Sequence, residues 1–232
     1  MIDVLDSILN VDCSEGLKLI PDKSVDLIVM DPPYEMETAG GGAFGSFNRL
    51  YHSSLTPISK GISNKLLDVF IEKMKMVNIY TWCNKNQLRQ YLDYFDDIGC
   101  MIDLLTWHKT NPTPTCNNKY LSDTEYCVFA REKGVKLFGS YETKRKYYVS
   151  PLNTIDKEKY GHPTIKPLNI IKNLIINSSE GGGTVLDPFI GSGTTAVAAK
   201  MLGRHYIGFE INPEYYQIAC KRVESIQVSE WF

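Results

Sequence analysis

Residues 184–211 constrain this chain more than any other stretch. Thr184–Phe189 is an apolar run of strand type. It ends in Asp187-Pro188-Phe189-Ile190-Gly191-Ser192-Gly193-Thr194-Thr195. An alanine-rich helix over Gly193–Leu202 follows, and His205–Ile211 is a second strand. A strand, a glycine turn, a helix and another strand in so few residues form a unit that lays two strands parallel and side by side. The glycines let backbone approach a ligand closely, and in an open α/β sheet ligands bind beyond the carboxyl ends of the strands.

The same alternation runs along the rest of the chain. Strands are predicted over Ile8–Asp12, Val25–Asp31, Val77–Trp82, Met101–His108 and Glu125–Arg131, with a hairpin over Lys136–Val149. Between them lie helical stretches: a turn near Ser14–Ile20, Asn64–Met76, a helix opened by Asn84 and Gln87 and running to about Asp97, and Pro167–Ser178. Asn212 caps a last helix with Pro213 at its first position. The stripe Leu66, Leu67, Phe70, Met74 has core spacing. The expected fold is a doubly wound, mostly parallel α/β sheet, one domain over residues 1–232, with loop insertions. The Gly- and Ser-rich stretch Thr38–Ser63 reads as a loop.

Composition narrows the function classes. With 232 residues and 43% apolar content the chain can bury a sizeable core. The net charge of -2 does not advertise a polyanionic partner for the molecule as a whole. Six cysteines form no CxxC pair, and the four histidines do not gather near them, so neither a zinc site nor a disulfide framework is expected. Buried, reduced thiols in a cytoplasmic protein are expected instead. The acidic opening, Met1–Asp6, is unlike a secretory signal, and no apolar run approaches a membrane span.

The glycine loop matches G-x-G-x-x-A, and Glu210 lies 19 residues beyond Gly191, where an acid accepts from ribose hydroxyls. No Lys-Ser/Thr follows the second glycine, which disfavours a nucleoside triphosphate. Asp187 stands at the strand end before the loop. By charge sign a carboxylate there suits a cationic amino group better than a pyrophosphate. S-adenosylmethionine carries an ammonium and a sulfonium, whereas NAD carries neither, although NAD stays open.

A second motif, Asp31-Pro32-Pro33-Tyr34, closes the strand Val25–Asp31. Prolines lack N–H groups and fix the backbone, so acceptors there are held in place. An exocyclic amino group is a poor nucleophile because its lone pair is delocalised into the ring. It needs acceptors for both N–H bonds, and Asp31 with the Pro32 carbonyl provides two. Tyr34 offers a surface for a base rotated out of the helix.

Together the two motifs resemble the amino-methylating DNA methyltransferases. Asp31-Pro32-Pro33-Tyr34 is similar to that family's catalytic tetrapeptide and Phe189-Ile190-Gly191-Ser192-Gly193 to its cofactor loop. The catalytic motif comes first, as in the family's beta group. Gly161-His162-Pro163-Thr164-Ile165-Lys166-Pro167, Trp107–Pro114 and the opening Asp12-Cys13 resemble further family segments. The resemblance implies a Rossmann-like methyltransferase fold with a seven-stranded sheet and S-adenosylmethionine as cofactor. It implies Asp31, Pro32, Pro33 and Tyr34 as catalytic residues. It places Asp12, Thr164, Lys166, Asp187, Phe189, Gly191, Ser192, Gly193, Thr194 and Glu210 at the cofactor, Lys166 and Thr164 on its carboxylate. No metal is implied.

DNA is the implied partner. Loops 36–62 and 131–161 are the candidate contacts, since the large recognition insert common in the family is short here. Residues 131–148 hold six basic side chains against two acidic ones, interleaved with four aromatics, and Lys144, Arg145 and Lys146 are their densest run. The expected cell is prokaryotic or phage-infected, with the protein at the nucleoid. A homodimer and a companion restriction endonuclease are further expectations of the resemblance. Aspartate at the first tetrapeptide position tilts the target to adenine N6; cytosine N4 and a catalytically silent DNA-binding subunit stay open.

Overall fold

A computed structural model describes residues 4–34, 61–112, 114, 118, 120–154, 160 and 165–226. The chain winds β1 (Ser7–Leu9), α1 (Cys13–Leu17), β2 (Leu27–Met30), α2 (Asn64–Lys73), β3 (Asn78–Cys83), α3 (Lys85–Asp97), β4 (Met101–Lys109), β5 (Thr124–Arg131) and β6 (Tyr147–Ser150). It continues through α4 (Leu168–Ser178), β7 (Thr184–Asp187), α5 (Thr194–Met201), β8 (His205–Phe209) and α6 (Pro213–Glu224). The sheet has the order β1-β8-β7-β2-β3-β5-β4-β6.

Every residue of β2, β3 and β7 is buried, as a strand covered on both faces must be. Side chains then alternate between two cores. Ile28 and Met30 join Leu67, Phe70, Tyr91 and Phe95 beneath α2 and α3. Leu27 and Val29 join Ile171, Leu174, Val197 and Ala198 beneath α4 and α5. The doubly wound, mostly parallel sheet is therefore as the residue pattern predicts.

Three local outcomes differ from the sequence reading. The sheet has eight strands among the described residues, one more than the seven expected. The extra strand is β6. It is no half of a hairpin over 136–149 but pairs in parallel with β4, Thr106 opposite Tyr147. Alternation in Tyr147–Ser150 fits any partner, so the sequence alone does not choose between a hairpin and a crossover. Gln87 does not complete a capping box: Asn84 accepts from the backbone of Asn86 and Gln87, while the Gln87 amide reaches Pro33. The loop 36–62 lies outside the described residues except for Gly61 and Ile62.

β5 runs antiparallel to both neighbours, Cys83 facing Tyr126. Its first residues therefore sit at the edge where β2 and β3 end. β2 and β7 are parallel neighbours, Leu27 opposite Val185, with the chain leading away from them in opposite directions. At such a switch in strand order the connections diverge and leave a crevice at the carboxyl edge.

Candidate functional site

That crevice is a cleft of about 800 Å³. Asp31 follows β2 and Asp187 ends β7, so their carboxyl groups reach it from adjacent strands. The whole tetrapeptide borders the cleft, as do Asp12, Lys166 and Glu210 and, from the glycine loop, Phe189, Gly191, Ser192 and Thr194. Two motifs more than 150 residues apart in the chain thus face one space. Thr164 lies outside the described residues.

On the tetrapeptide side, Asp31 is held by Lys166, whose Nζ donates to Oδ2 at 2.5 Å. The other oxygen, Oδ1, is buried and has no hydrogen-bond partner among the described residues. Burial pushes the Asp31 carboxyl up from the usual carboxylate range, Lys166 opposes this, and Glu125 adds to it. Lys166 also pairs with Glu125 Oε2 at 3.0 Å and donates to the Tyr34 hydroxyl at 3.2 Å. It lies over the Tyr34 and Trp82 rings, 5.4 and 5.2 Å from their centroids. Burial alone would pull the Lys166 ammonium down, but Asp31 and Glu125 outweigh it and hold it above its ordinary value. Lys166 was expected on the cofactor's carboxylate; in the structure its ammonium meets three protein acceptors, Asp31, Glu125 and Tyr34. Pro33 is fixed in turn, its carbonyl accepting from Gln87 at 3.1 Å.

On the glycine-loop side, Gly191 and Gly193 take φ of 52° and 85°, left-handed values that favour glycine. Gly193 turns the chain into α5, and a Cβ on it would stand 3.0 Å from Ala219 Cα. Glu210 fastens the loop: one oxygen accepts from Gly191 N at 2.9 Å and the other from Asn212 N at 2.8 Å. Burial raises the Glu210 carboxyl, and these backbone donors oppose the rise. The hydroxyls of Ser192 and Thr194 are both taken by the buried Arg222 of α6, which also holds the Ser192 carbonyl. Asp187 accepts from Phe189 N at 3.0 Å, and burial pushes its carboxyl up to about 7. Asp12 caps α1, accepting from Ser14 N at 2.8 Å, and borders the cleft from there.

Charge decides what the cleft can hold. Its described lining has five carboxylates, Asp12, Asp31, Glu125, Asp187 and Glu210, against the single ammonium of Lys166. That ammonium is already paired twice. A pyrophosphate would meet repulsion and no free cation; a ligand bearing positive charge and hydroxyl groups finds acceptors.

Lys144, Arg145 and Lys146 are not brought to the cleft. They are exposed and precede β6, at the sheet's opposite edge. Thr143 bonds Asn177, in the last turn of α4, and Lys146 is paired with Asp103 near the start of β4. The run was singled out for its charge, but its position follows from β6 joining in parallel rather than as a hairpin.

The site contacts of Glu125, Gln87 and Arg222 escaped the sequence reading, in which Gln87 figures only as part of a helix cap. An acid at a strand start and an arginine on a C-terminal helix carry no local motif. Their roles come from contacts 91, 54 and 30 residues away in the chain. Among the described residues no group of His, Cys, Asp and Glu could hold a metal ion, and no helix is long and apolar enough to cross a membrane. Burial raises the thiols of Cys13 and Cys83 to about 11 and about 12.

Comparison with known proteins agrees with this geometry. Residues 25–221 match a family described as DNA methylase, an N6/N4 methyltransferase group. The Type II methyltransferase M.HinfI of Haemophilus influenzae is 29% identical over 97% of this chain and 70% of its own length. M2.DpnII of Streptococcus pneumoniae is 28% identical over 94% of this chain and 89% of its own. Among solved structures, the M1.HpyAVI–SAM complex superposes with a TM-score of 0.69 at 24% identity, covering 94% of this chain and 98% of that one. The cytosine-N4-specific PvuII DNA methyltransferase gives 0.69 at 18% identity, over 95% and 88%. These two likenesses concern the fold.

Proposed function

This chain belongs to the DNA methylase family, and from that premise we propose that it methylates the exocyclic N6 amino group of adenine in a short DNA sequence, using S-adenosylmethionine. The single observation that carries the proposal is Asp31 Oδ1, a buried acceptor without a partner among the described residues, in the cleft that the glycine loop also borders.

When bound, S-adenosylmethionine supplies an electrophilic methyl group on a sulfonium. The protein's part is to hold the amino nitrogen. Asp31 Oδ1 accepts one N–H and the Pro32 carbonyl the other, so the nitrogen can leave the ring plane as positive charge forms on it. Lys166 opposes the rise that burial gives the Asp31 carboxyl and so favours its charged, accepting form. Tyr34 gives an extruded base a stacking surface worth about 1–3 kcal/mol, which offsets part of the few kcal/mol needed to unstack it.

The donor set fits the cofactor. Asp187 would take its ammonium, Glu210 the ribose hydroxyls and Asp12 the adenine amino group. The excess of carboxylates speaks for a cationic donor and against a nicotinamide dinucleotide. Adenine is chosen over cytosine because aspartate opens the tetrapeptide, the residue that the family resemblance associates with N6 chemistry.

The relatives are named Type II methyltransferases, which supports a restriction–modification setting; a companion endonuclease is part of this proposal. The sheet ends on β6 with Tyr147 and Val149 exposed, a face that a second copy would cover in a homodimer. A DNA-modifying enzyme of this kind works at the nucleoid. The test is single-molecule sequencing and nucleoside mass spectrometry of DNA from cells expressing the protein, beside an Asp31→Ala control. N6-methyladenine at one motif, absent in the control, is expected. N4-methylcytosine, or modification persisting in the control, overturns the proposal.

A further inference from the structure

We propose that Glu125 is a positioning residue for methyl transfer, holding Tyr34 and Lys166 where they leave Asp31 one free oxygen for the target amino group; this rests on the methyltransferase function proposed above.

Because β5 runs against β2 and β3, Glu125 enters the site from the start of a strand at the edge where the others end. Its carboxylate gathers three groups. Lys109 Nζ lies 2.6 Å from Oε1, Lys166 Nζ lies 3.0 Å from Oε2, and the Tyr34 hydroxyl donates to Oε2 at 3.3 Å. That hydroxyl also accepts from Lys166. The stacking ring is thus fixed at the end remote from the backbone, by two bonds that both run through the Glu125–Lys166 pair. Burial would raise the Glu125 carboxyl, but Lys166 and Lys109 outweigh it and hold it at about 2, so Glu125 stays charged throughout the working range.

Two consequences follow. First, the Lys166 ammonium divides its attraction between two carboxylates. Without Glu125 it would neutralise Asp31 alone and weaken it as an acceptor. Second, Asp31 and Glu125 balance Lys109 and Lys166, a quartet of zero net charge. Removing the Glu125 charge leaves one positive charge in excess beside a nitrogen that turns cationic as it is methylated, which opposes the reaction.

The experiment is single-turnover methyl transfer to unmethylated genomic DNA from pH 5 to 9. Wild type, Glu125→Gln and Glu125→Asp are compared, with S-adenosylmethionine affinity by calorimetry and melting temperature for each. For Glu125→Gln the plateau rate should fall at least tenfold while cofactor affinity stays within threefold. The acid limb of its profile should move about one pH unit lower, since a neighbouring negative charge that raises Asp31 is gone. Glu125→Asp keeps the charge with shorter reach. It should retain the wild-type limb and recover part of the rate.

A Glu125→Gln protein with the wild-type rate overturns the inference. So does one whose rate falls only in proportion to cofactor affinity with the limb unmoved. If Glu125→Gln does not fold, Glu125→Asp decides: an intermediate rate on the wild-type limb supports the role, and a wild-type rate or a displaced limb refutes it. A wild-type protein that transfers no methyl group in the same assay fails the functional proposal instead.

Discussion

Replacing Asp187 by asparagine should make this protein more stable at alkaline pH and worse at its task. Asp187 is 5% exposed at the end of β7, and burial carries its carboxyl from the ordinary 3.8 to about 7. Below 3.8 the folded and unfolded chains both hold the proton. Between 3.8 and about 7 only the folded chain does, so stability is lost as pH rises through that window. A rise of about three pH units, at about 1.36 kcal/mol each, makes the penalty at pH 8 roughly 4 kcal/mol as an upper bound. Asparagine keeps an acceptor for Phe189 N but adds an amide to satisfy, at about 1 kcal/mol. The expected net gain is about 2–3 kcal/mol at pH 8, or about 5–10 °C in Tm, and it turns into a loss of about 1 kcal/mol at pH 4, where only the cost of the amide is left. Urea unfolding of both proteins at several pH values measures it, and calorimetry at pH 8 should show at least a tenfold loss of S-adenosylmethionine affinity. In wild type that affinity should weaken as pH falls below 7, and in the variant it should not. Equal stability slopes with pH for the two proteins would refute the burial argument; unchanged cofactor affinity would refute the ammonium assignment.

Other outcomes are expected with equal definiteness. Asp31→Asn should lower the single-turnover rate by about 10²–10³-fold, the scale of removing one preorganised electrostatic contact, with cofactor affinity nearly intact by calorimetry. Gly193→Ala forces a Cβ into a left-handed turn against Ala219; thermal melts should show a loss of about 1–3 kcal/mol, with weaker cofactor binding. Charge reversal at Lys144 and Arg145, which lie away from the cleft, should leave DNA affinity within about twofold and its salt dependence unaltered in a fluorescence titration. A large drop would place the DNA track on that edge after all.

The fold was legible because burial on both faces leaves a mark in the residues themselves. β2 is a continuous apolar run, β3 and β7 are apolar at most positions, and the glycine loop sits where a strand must turn into a helix. Asp31 and Asp187 were legible for the same reason: each is a charge placed where an apolar strand stops. The partners of these groups were not. Lys166 was noticed, but its local sequence could not say that its ammonium would stand between Asp31 and Glu125. Glu125 depends on β5 being antiparallel, a property of the sheet order rather than of Thr124–Arg131. Arg222 depends on α6 passing behind the loop that it braces. The fate of Lys144–Lys146 turned on whether four residues of β6 pair as a hairpin or across a crossover, and alternation is identical in the two cases.

The strand order divides the molecule by ancestry of chain as well as by space. β1, β7 and β8 come from the two ends of the polypeptide, whereas β3, β5, β4 and β6 form one uninterrupted stretch from its middle, joined to the others through β2. A single exchange of genetic material between residues 78 and 150 would therefore replace β3, β5, β4 and β6 as one cassette. The glycine-loop side would keep all its strands, so the half of the cleft that reaches Asp31 through Glu125 can be varied without rebuilding the half that holds Asp187.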